Sequence, residues 1–205
     1  MTKGIGLVAF TLGLATAASA SPIVLYSNGL VDSGPLSGYE MDQGQYPTTN
    51  SFVIPAETIQ QIDLVVYTDF GPLDGATIDW KITSAPFSGS PCCGGTVYAS
   101  GASPLTGTLI NFNDPQSTYL ASFDLNVPLS AGTYWFEFDS ATAPNAADLW
   151  WDTSNGPSQA WQGGTSLSQV TSNSFEILGT PEPASFAICG AGLMLLGGAA
   201  RRRRA

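Results

Sequence analysis

Four tryptophans are the residues of this chain best suited to recognise a ligand: Trp135, Trp150, Trp151 and Trp161. A flat indole ring packs against the apolar face of a pyranose, and nearby polar side chains hydrogen-bond the sugar hydroxyls. The same turn-rich segment supplies polar partners at Asp148, Asp152, Asn155, Gln159 and Gln162. The sequence therefore predicts a candidate carbohydrate-binding set made of Trp135, Trp150, Trp151, Asp152 and Trp161.

Packing in a core is the competing interpretation for the same rings. Trp150 and Trp151 are adjacent, and successive side chains of a strand point to opposite faces, so one of the two must face the core. Trp80 lies in an alternating segment and is also expected in the core. We favour packing over binding for most of this cluster.

Cys92 and Cys93 are adjacent in a loop that contains several glycines. In an oxidising compartment they are candidates for a disulfide with each other, and two free thiols are the alternative. The remaining cysteine, Cys189, lies in the apolar C-terminal run and cannot reach them. The sequence contains no histidine, so we expect neither a metal site at these thiols nor a thiol activated by a histidine base.

Two loops offer oxygen atoms that could bind calcium. One contains Asp69 and Asp74, and the other contains Asn111, Asn113 and Asp114. Neither loop matches the Asp-x-Asp-x-Asp-Gly spacing of a calcium loop, and turns favour the same residues for their own backbone hydrogen bonds. We expect no cofactor, with calcium as the alternative.

The lack of histidine also restricts catalysis. It excludes Ser-His-Asp, Cys-His and histidine-ligated metal mechanisms, which leaves only chemistry carried out by carboxylates. A glycosidase needs two carboxylates facing each other across a cleft, and the sequence selects no such pair among many. We expect a protein that is not an enzyme and name no catalytic residue. The alternative is a carboxylate-based extracellular polysaccharide hydrolase.

The segments that must position these residues alternate apolar and polar side chains, which is typical of strands with one buried face. The inward sets are predicted to be Ile78, Trp80 and Ile82; Tyr119, Ala121, Phe123, Leu125 and Val127; and Tyr134, Phe136 and Phe138. Residues 128–132 are predicted to form a tight hairpin turn between the last two of these strands. No long 3.6-residue apolar period interrupts 21–178. The expected fold is all-β, a single antiparallel β-sandwich of the jelly-roll type over residues 21–180.

The two ends of the chain read as targeting segments. Residues 1–20 combine Lys3, an apolar stretch and a small-residue site at Ala18-Ser19-Ala20, so a signal peptide cleaved after Ala20 is expected. Between these ends, at residues 21–180, Lys81 is the only basic residue, whereas fifteen of the 16 acidic residues lie there. A body with a net charge of −14 repels nucleic acid and anionic lipid, so neither is an expected partner; high like charge also keeps a secreted protein soluble.

Residues 181–205 combine Pro181-Glu182-Pro183, an uncharged and mostly apolar run at 184–200, and Arg201-Arg202-Arg203-Arg204. The run is at the lower limit for a membrane-spanning helix, and the arginines should stay on the cytoplasmic side. This order resembles the PEP-CTERM protein-sorting signal of Gram-negative bacteria, and the resemblance is confined to these residues. An ordinary tail anchor is the alternative, but it has no need of Pro-Glu-Pro.

The resemblance implies processing by an exosortase, an integral membrane enzyme resembling a cysteine transpeptidase. The leader at 1–20 implies processing by a signal peptidase. The resemblance also implies a precursor anchored in the membrane with its C-terminus in the cytoplasm, and a mature form at the cell surface or in the extracellular matrix. A link to exopolysaccharide or biofilm follows from the resemblance alone. The body is expected to serve in matrix structure or adhesion, with exopolysaccharide as its candidate partner.

Overall fold

Alternating apolar side chains place most of the chain in β-strands that bury one face. The computed structural model describes residues 21–30, 37–41, 47–87, 95–113, 116–146, 148–163 and 168–180. They form β1 (Ile23–Ser27), β2 (Gly38–Glu40), β3 (Thr48–Ile54), β4 (Glu57–Asp69), β5 (Thr77–Thr83), β6 (Val97–Pro104), β7 (Thr106–Asn113), β8 (Gln116–Leu129), β9 (Gly132–Thr142), β10 (Asp148–Asp152), β11 (Ala160–Gln162), β12 (Ser168–Val170) and β13 (Phe175–Gly179).

These strands form two antiparallel sheets. In sheet A, β7 pairs with β8 and β8 pairs with β4; on its other side β4 pairs with both β13 and β10, which pair in turn with β1 and β2. In sheet B the order is β12, β11, β3, β9, β5 and β6. The expected all-β, antiparallel fold is confirmed.

Strand β4 is the central strand of sheet A because other strands pair with it on both sides. On one side β8 follows it from Glu57 to Asp69. On the other side β13 pairs with residues 59–64 and β10 with residues 66–69, so these two strands lie end to end. Between them the chain leaves sheet A, forms β11 and β12 in sheet B, and returns.

The two sheets share one hydrophobic core, as the alternation predicts. Sheet A contributes Ile62, Leu64 and Phe123, and sheet B contributes Ile82 and Phe136, all at most 2% exposed. The predicted inward residues of β5 and β9 all belong to this core. In β8 the prediction also holds, although Tyr119 and Leu125 are only partly buried at its margin.

The predicted hairpin at residues 128–132 is wrong. Strands β8 and β9 do follow each other closely, but β8 belongs to sheet A and β9 to sheet B. The turn therefore crosses from one sheet to the other, and the Tyr134 hydroxyl fixes it by donating to the carbonyl of Ser130 at 2.8 Å. Alternation shows which face of a strand is buried, but it does not identify the strand that pairs with it.

Buried polar groups around Asn28 hold together the two crossings between the sheets, from β10 to β11 and from β12 to β13. Its side-chain amide donates to the carbonyl of Asn173, its side-chain oxygen accepts from the backbone N–H of Ser158 at 2.8 Å, and its carbonyl accepts from Ser154. Gly156 lies so close that a Cβ there would be 2.1 Å from the Asn28 carbonyl oxygen. Only glycine fits this position, because any side chain would force the crossing apart.

Candidate functional site

The predicted tryptophan cluster does not form one site, because its members lie in three places. Trp151 is 0% exposed and belongs to the core, with ring-centroid distances of 4.3 Å to Phe138 and 6.0 Å to Phe175. Its indole N–H donates to the carbonyl of Ser174 at 2.9 Å. Its inclusion in a binding set is therefore corrected, whereas the expectation that one of the adjacent pair faces the core is confirmed.

Trp150 and Asp152 lie on the outer face of sheet A. Trp150 is the cross-strand neighbour of Tyr67, and the two rings stack at 5.9 Å with an interplanar angle of 3°. Asp152 is 6% exposed, and its carboxylate lies near the same tyrosine. Burial, followed by the carboxylates of Asp152 and Asp69, raises the pKa of Tyr67 to about 12. This stack fills the sheet surface with its own side chains and leaves Trp150 only partly accessible.

Trp135 and Trp161 lie together on the outer face of sheet B. Trp135 pairs with Ser51 and Trp161 with Thr49, so the two tryptophans flank β3 on opposite sides, two residues apart. Their neighbours in sequence, Phe136 and Ala160, are buried, which turns both indoles away from the core. With strand spacing of about 4.8 Å and a rise of about 3.3 Å per residue, their Cα atoms are roughly 12 Å apart.

Polar side chains fill the surface between these two rings. Thr49 is 0% exposed, and its hydroxyl has no hydrogen-bond partner among the described residues. Beside it, Glu137 pairs with Lys81 at 3.6 Å, with side chains 4% and 27% exposed. The charge of Lys81, the only lysine of the body, is thus neutralised by Glu137 next to the two indoles. Sequence reasoning missed this pair, although a single base facing fifteen acids is itself a signal that it will be paired.

A loop after β5 closes one side of this surface. Phe87 is 4% exposed but lies outside the core cluster, and its ring lies against Gly163 next to Pro47. Cys92 and Cys93 follow in sequence and lie outside the described residues. We define the Trp135–Trp161 face as Trp135, Trp161, Thr49, Ser51 and the Lys81–Glu137 pair.

The outer face of sheet A is acidic instead. Asp63 lies opposite Glu176, and Gln61 lies opposite Asp124. The pKa of Asp63 is raised by burial and by the carboxylates of Glu176 and Asp124, against a hydrogen bond from Gln61 that lowers it. Among the described residues, no group of three or more acidic or cysteine side chains is placed to hold a metal ion. Of the proposed calcium ligands, Asp114 lies outside those residues.

Comparison with protein-family models and with curated proteins identifies no relative of this chain. Within the described ranges, none of the secondary structure is a helix with the length and apolar character needed to cross a membrane. The predicted leader at 1–20 and the predicted sorting tail at 181–205 lie outside those ranges and stay predictions.

Proposed function

We propose that this chain is an exported surface or matrix protein of a Gram-negative bacterium, sorted by an exosortase through its C-terminal tail. Its body is a non-catalytic module that binds extracellular polysaccharide. The observation that carries the sorting proposal is the order of Pro181-Glu182-Pro183, an apolar run and Arg201–Arg204 at the end of the chain. The connections that cross between the sheets agree with a jelly-roll-like sandwich as the body.

The Trp135–Trp161 face supports the binding proposal. Two outward indoles whose Cα atoms are roughly 12 Å apart provide two stacking platforms for consecutive stretches of one extended sugar chain. The segment that carries Trp161 has no charged residue from Thr153 to Phe175, and the lysine under the face is paired with Glu137. A neutral polysaccharide fits this surface better than an anionic one, which the net charge of the body would repel.

Mass spectrometry of the protein from a host with the sorting enzyme tests the sorting proposal. We expect a species that begins at Ser21 and ends near residues 181–183. Glu182→Ala and Pro183→Ala should leave a longer precursor in the membrane fraction. Ser185→Ala, which keeps the motif and the apolar run, is the matched control and should be processed normally. Normal processing of all three variants would refute the sorting proposal.

Retention on neutral and acidic polysaccharide gels tests the binding proposal. Removal of a ring by Trp135→Ala or Trp161→Ala should weaken retention about tenfold or more, since each stacked ring contributes on the order of 1–2 kcal/mol. Trp150→Ala is the control, because it removes an equal ring from the other sheet. Equal losses in all three variants, or no retention of the wild type, would contradict the proposal. Release of reducing ends would indicate the hydrolase alternative.

A further inference from the structure

One side of the body is formed by two consecutive edge strands. Strand β6 is the last strand of sheet B and β7 is the last strand of sheet A, and only Leu105 separates them in sequence. Leu105 is 4% exposed and anchors this corner in the core. The two sheets therefore end side by side. We call the surface formed by β6 and β7 the neutral flank.

The neutral flank exposes apolar side chains next to backbone that pairs on one side only. Val97 and Tyr98 on β6 are 43% and 51% exposed, and Leu109 and Ile110 on β7 are 51% and 46% exposed. An edge strand presents unpaired N–H and C=O groups, which makes it a template for another strand. Each strand has eight residues, which is long enough to offer several hydrogen bonds.

The neutral flank carries no charge in a body that is strongly acidic as a whole. Residues 82–113 include no Asp, Glu, Lys or Arg, although the body has a net charge of −14. Edge strands that stay single are usually protected by charged side chains, lysine above all, and both strands lack them. Other uncharged segments of the body contain shorter strands: 21–31 contains β1, which has five residues, and 153–175 contains β11 and β12, which have three residues each.

We propose that the neutral flank is a self-association surface on which a second copy of this chain docks edge to edge. Two bodies that each carry a charge of −14 repel each other, and the repulsion is weakest where their uncharged sides meet. An edge strand can pair with its own copy in antiparallel fashion about a two-fold axis, so one surface supplies both halves of the contact. This association goes beyond the proposed sorting and binding functions and requires neither.

The irregularities of the two strands limit the length of the contact, and its two-fold symmetry limits the assembly to a dimer. Register shifts occur at Tyr98 in β6 and at Ile110 in β7. Bulges of this kind twist an edge strand and stop its pairing, so regular pairing is confined to residues 99–104 and 106–109. Since a two-fold contact uses the flank of both copies, it leaves no free flank for a third copy.

Sedimentation equilibrium of the full-length chain in density-matched detergent tests this inference. We expect a reversible monomer–dimer equilibrium for the wild type. Ala102→Lys and Thr108→Lys each place a charge on the neutral flank and should raise the dimer Kd roughly tenfold or more. Ala102 lies opposite Asp79, so a lysine there gains an acidic neighbour within its own chain and should not impair folding.

Val53→Lys is the matched control. It adds the same charge at a residue that is 58% exposed on the face of sheet B, away from both edge strands, and should change the dimer Kd by no more than about twofold. Raising the salt concentration from about 50 mM to about 500 mM should strengthen the dimer, because it screens the repulsion between the acidic bodies. A monomeric wild type, equal dissociation of all three variants, or a dimer weakened by salt would overturn the proposal.

Discussion

Asn50 and Asn173 hold the two sheets together through a reciprocal pair of hydrogen bonds. The side-chain amide of Asn50 donates to the side-chain oxygen of Asn173 at 2.9 Å, and the backbone N–H of Asn173 donates to the side-chain oxygen of Asn50 at 3.0 Å. Both residues are 0% exposed. The Asn173 amide also donates to the carbonyls of Trp151 and Asp152. Asn173 therefore links β3 of sheet B to the point where β10 leaves sheet A.

Replacing Asn173 should strongly destabilise the body. Asn173→Ala removes several hydrogen bonds at once and leaves the buried Asn50 amide and the carbonyl of Trp151 without this partner. Buried polar groups that lose their partners cost about 1–3 kcal/mol each, so we expect a loss of about 2–4 kcal/mol in the free energy of unfolding. Urea denaturation followed by tryptophan fluorescence measures it.

The exposed Asn111 provides the control for this prediction. Asn111→Ala should change the free energy of unfolding by less than about 0.5 kcal/mol, as surface substitutions usually do. If Asn173→Ala were equally mild, the buried amides would not be holding the crossing.

Removing a core tryptophan should cost much more stability than removing a surface tryptophan. Trp151→Ala removes a fully buried indole that packs against three phenylalanine rings, and should cost about 3–5 kcal/mol of stability. Trp161→Ala removes a half-buried ring from the outer face of sheet B and should cost about 1 kcal/mol or less. Thermal unfolding of both variants measures the difference. A smaller loss for Trp151 than for Trp161 would contradict the assignment of faces.

Much of the fold was predictable from the sequence because the long strands carry their own pattern. Strand β5 follows the predicted alternation, since Ile78, Trp80 and Ile82 all face the core. Strands β2, β11 and β12 have three residues each, which is too short for a period to appear. Strand β7 is longer but also lacks a clear pattern. As an edge strand it need not bury one face along its whole length, so its residues alternate poorly.

The candidate site was less predictable than the fold. Trp150 and Trp151 are neighbours in sequence but lie on opposite faces of one sheet, as alternation requires. Trp135 and Trp161 are far apart in sequence and meet only because β9 and β11 both pair with β3. Strand pairing of this kind depends on the whole topology, and a local pattern of residues does not contain it. Composition therefore identified the rings but not their grouping.

Asp63 should make the body more stable as the pH falls towards 4. Its pKa is raised above the ordinary 3.8 by burial and by Glu176 and Asp124, so the folded state holds its proton more tightly than the unfolded chain does. The stability that this adds is complete below about pH 3.8 and is lost as the pH rises through the folded pKa. Because solvent screens this half-buried carboxylate, Asp63→Asn should raise the Tm by only about 1–3 °C at pH 7, and should have little effect near pH 3.

Replacing Gln61 should shift the pKa of Asp63 further upwards and so change the stability in the direction opposite to Asp63→Asn. Its amide donates to the Asp63 carboxylate at 2.5 Å and lowers the pKa of that group. Gln61→Leu should therefore destabilise the body at pH 7 and make its gain on acidification steeper. A Tm that responds to neither substitution between pH 3 and pH 7 would show that Asp63 is not coupled to folding.

Tyr67 should dominate the loss of stability at high pH. Its pKa is raised from 10.0 to about 12 by burial and by the carboxylates of Asp152 and Asp69. Because the folded state disfavours the phenolate, the stability that this group contributes is complete below about pH 10 and is lost as the pH rises through about 12. Urea denaturation at pH 8 and at pH 11.5 should give the wild type a larger loss than Tyr67→Phe, by on the order of 1–2 kcal/mol. The values at pH 8 supply the internal control, because they report the effect of losing the hydroxyl itself. Parallel losses in the two proteins would mean that the Tyr67 hydroxyl ionises as easily in the folded state as in the unfolded chain.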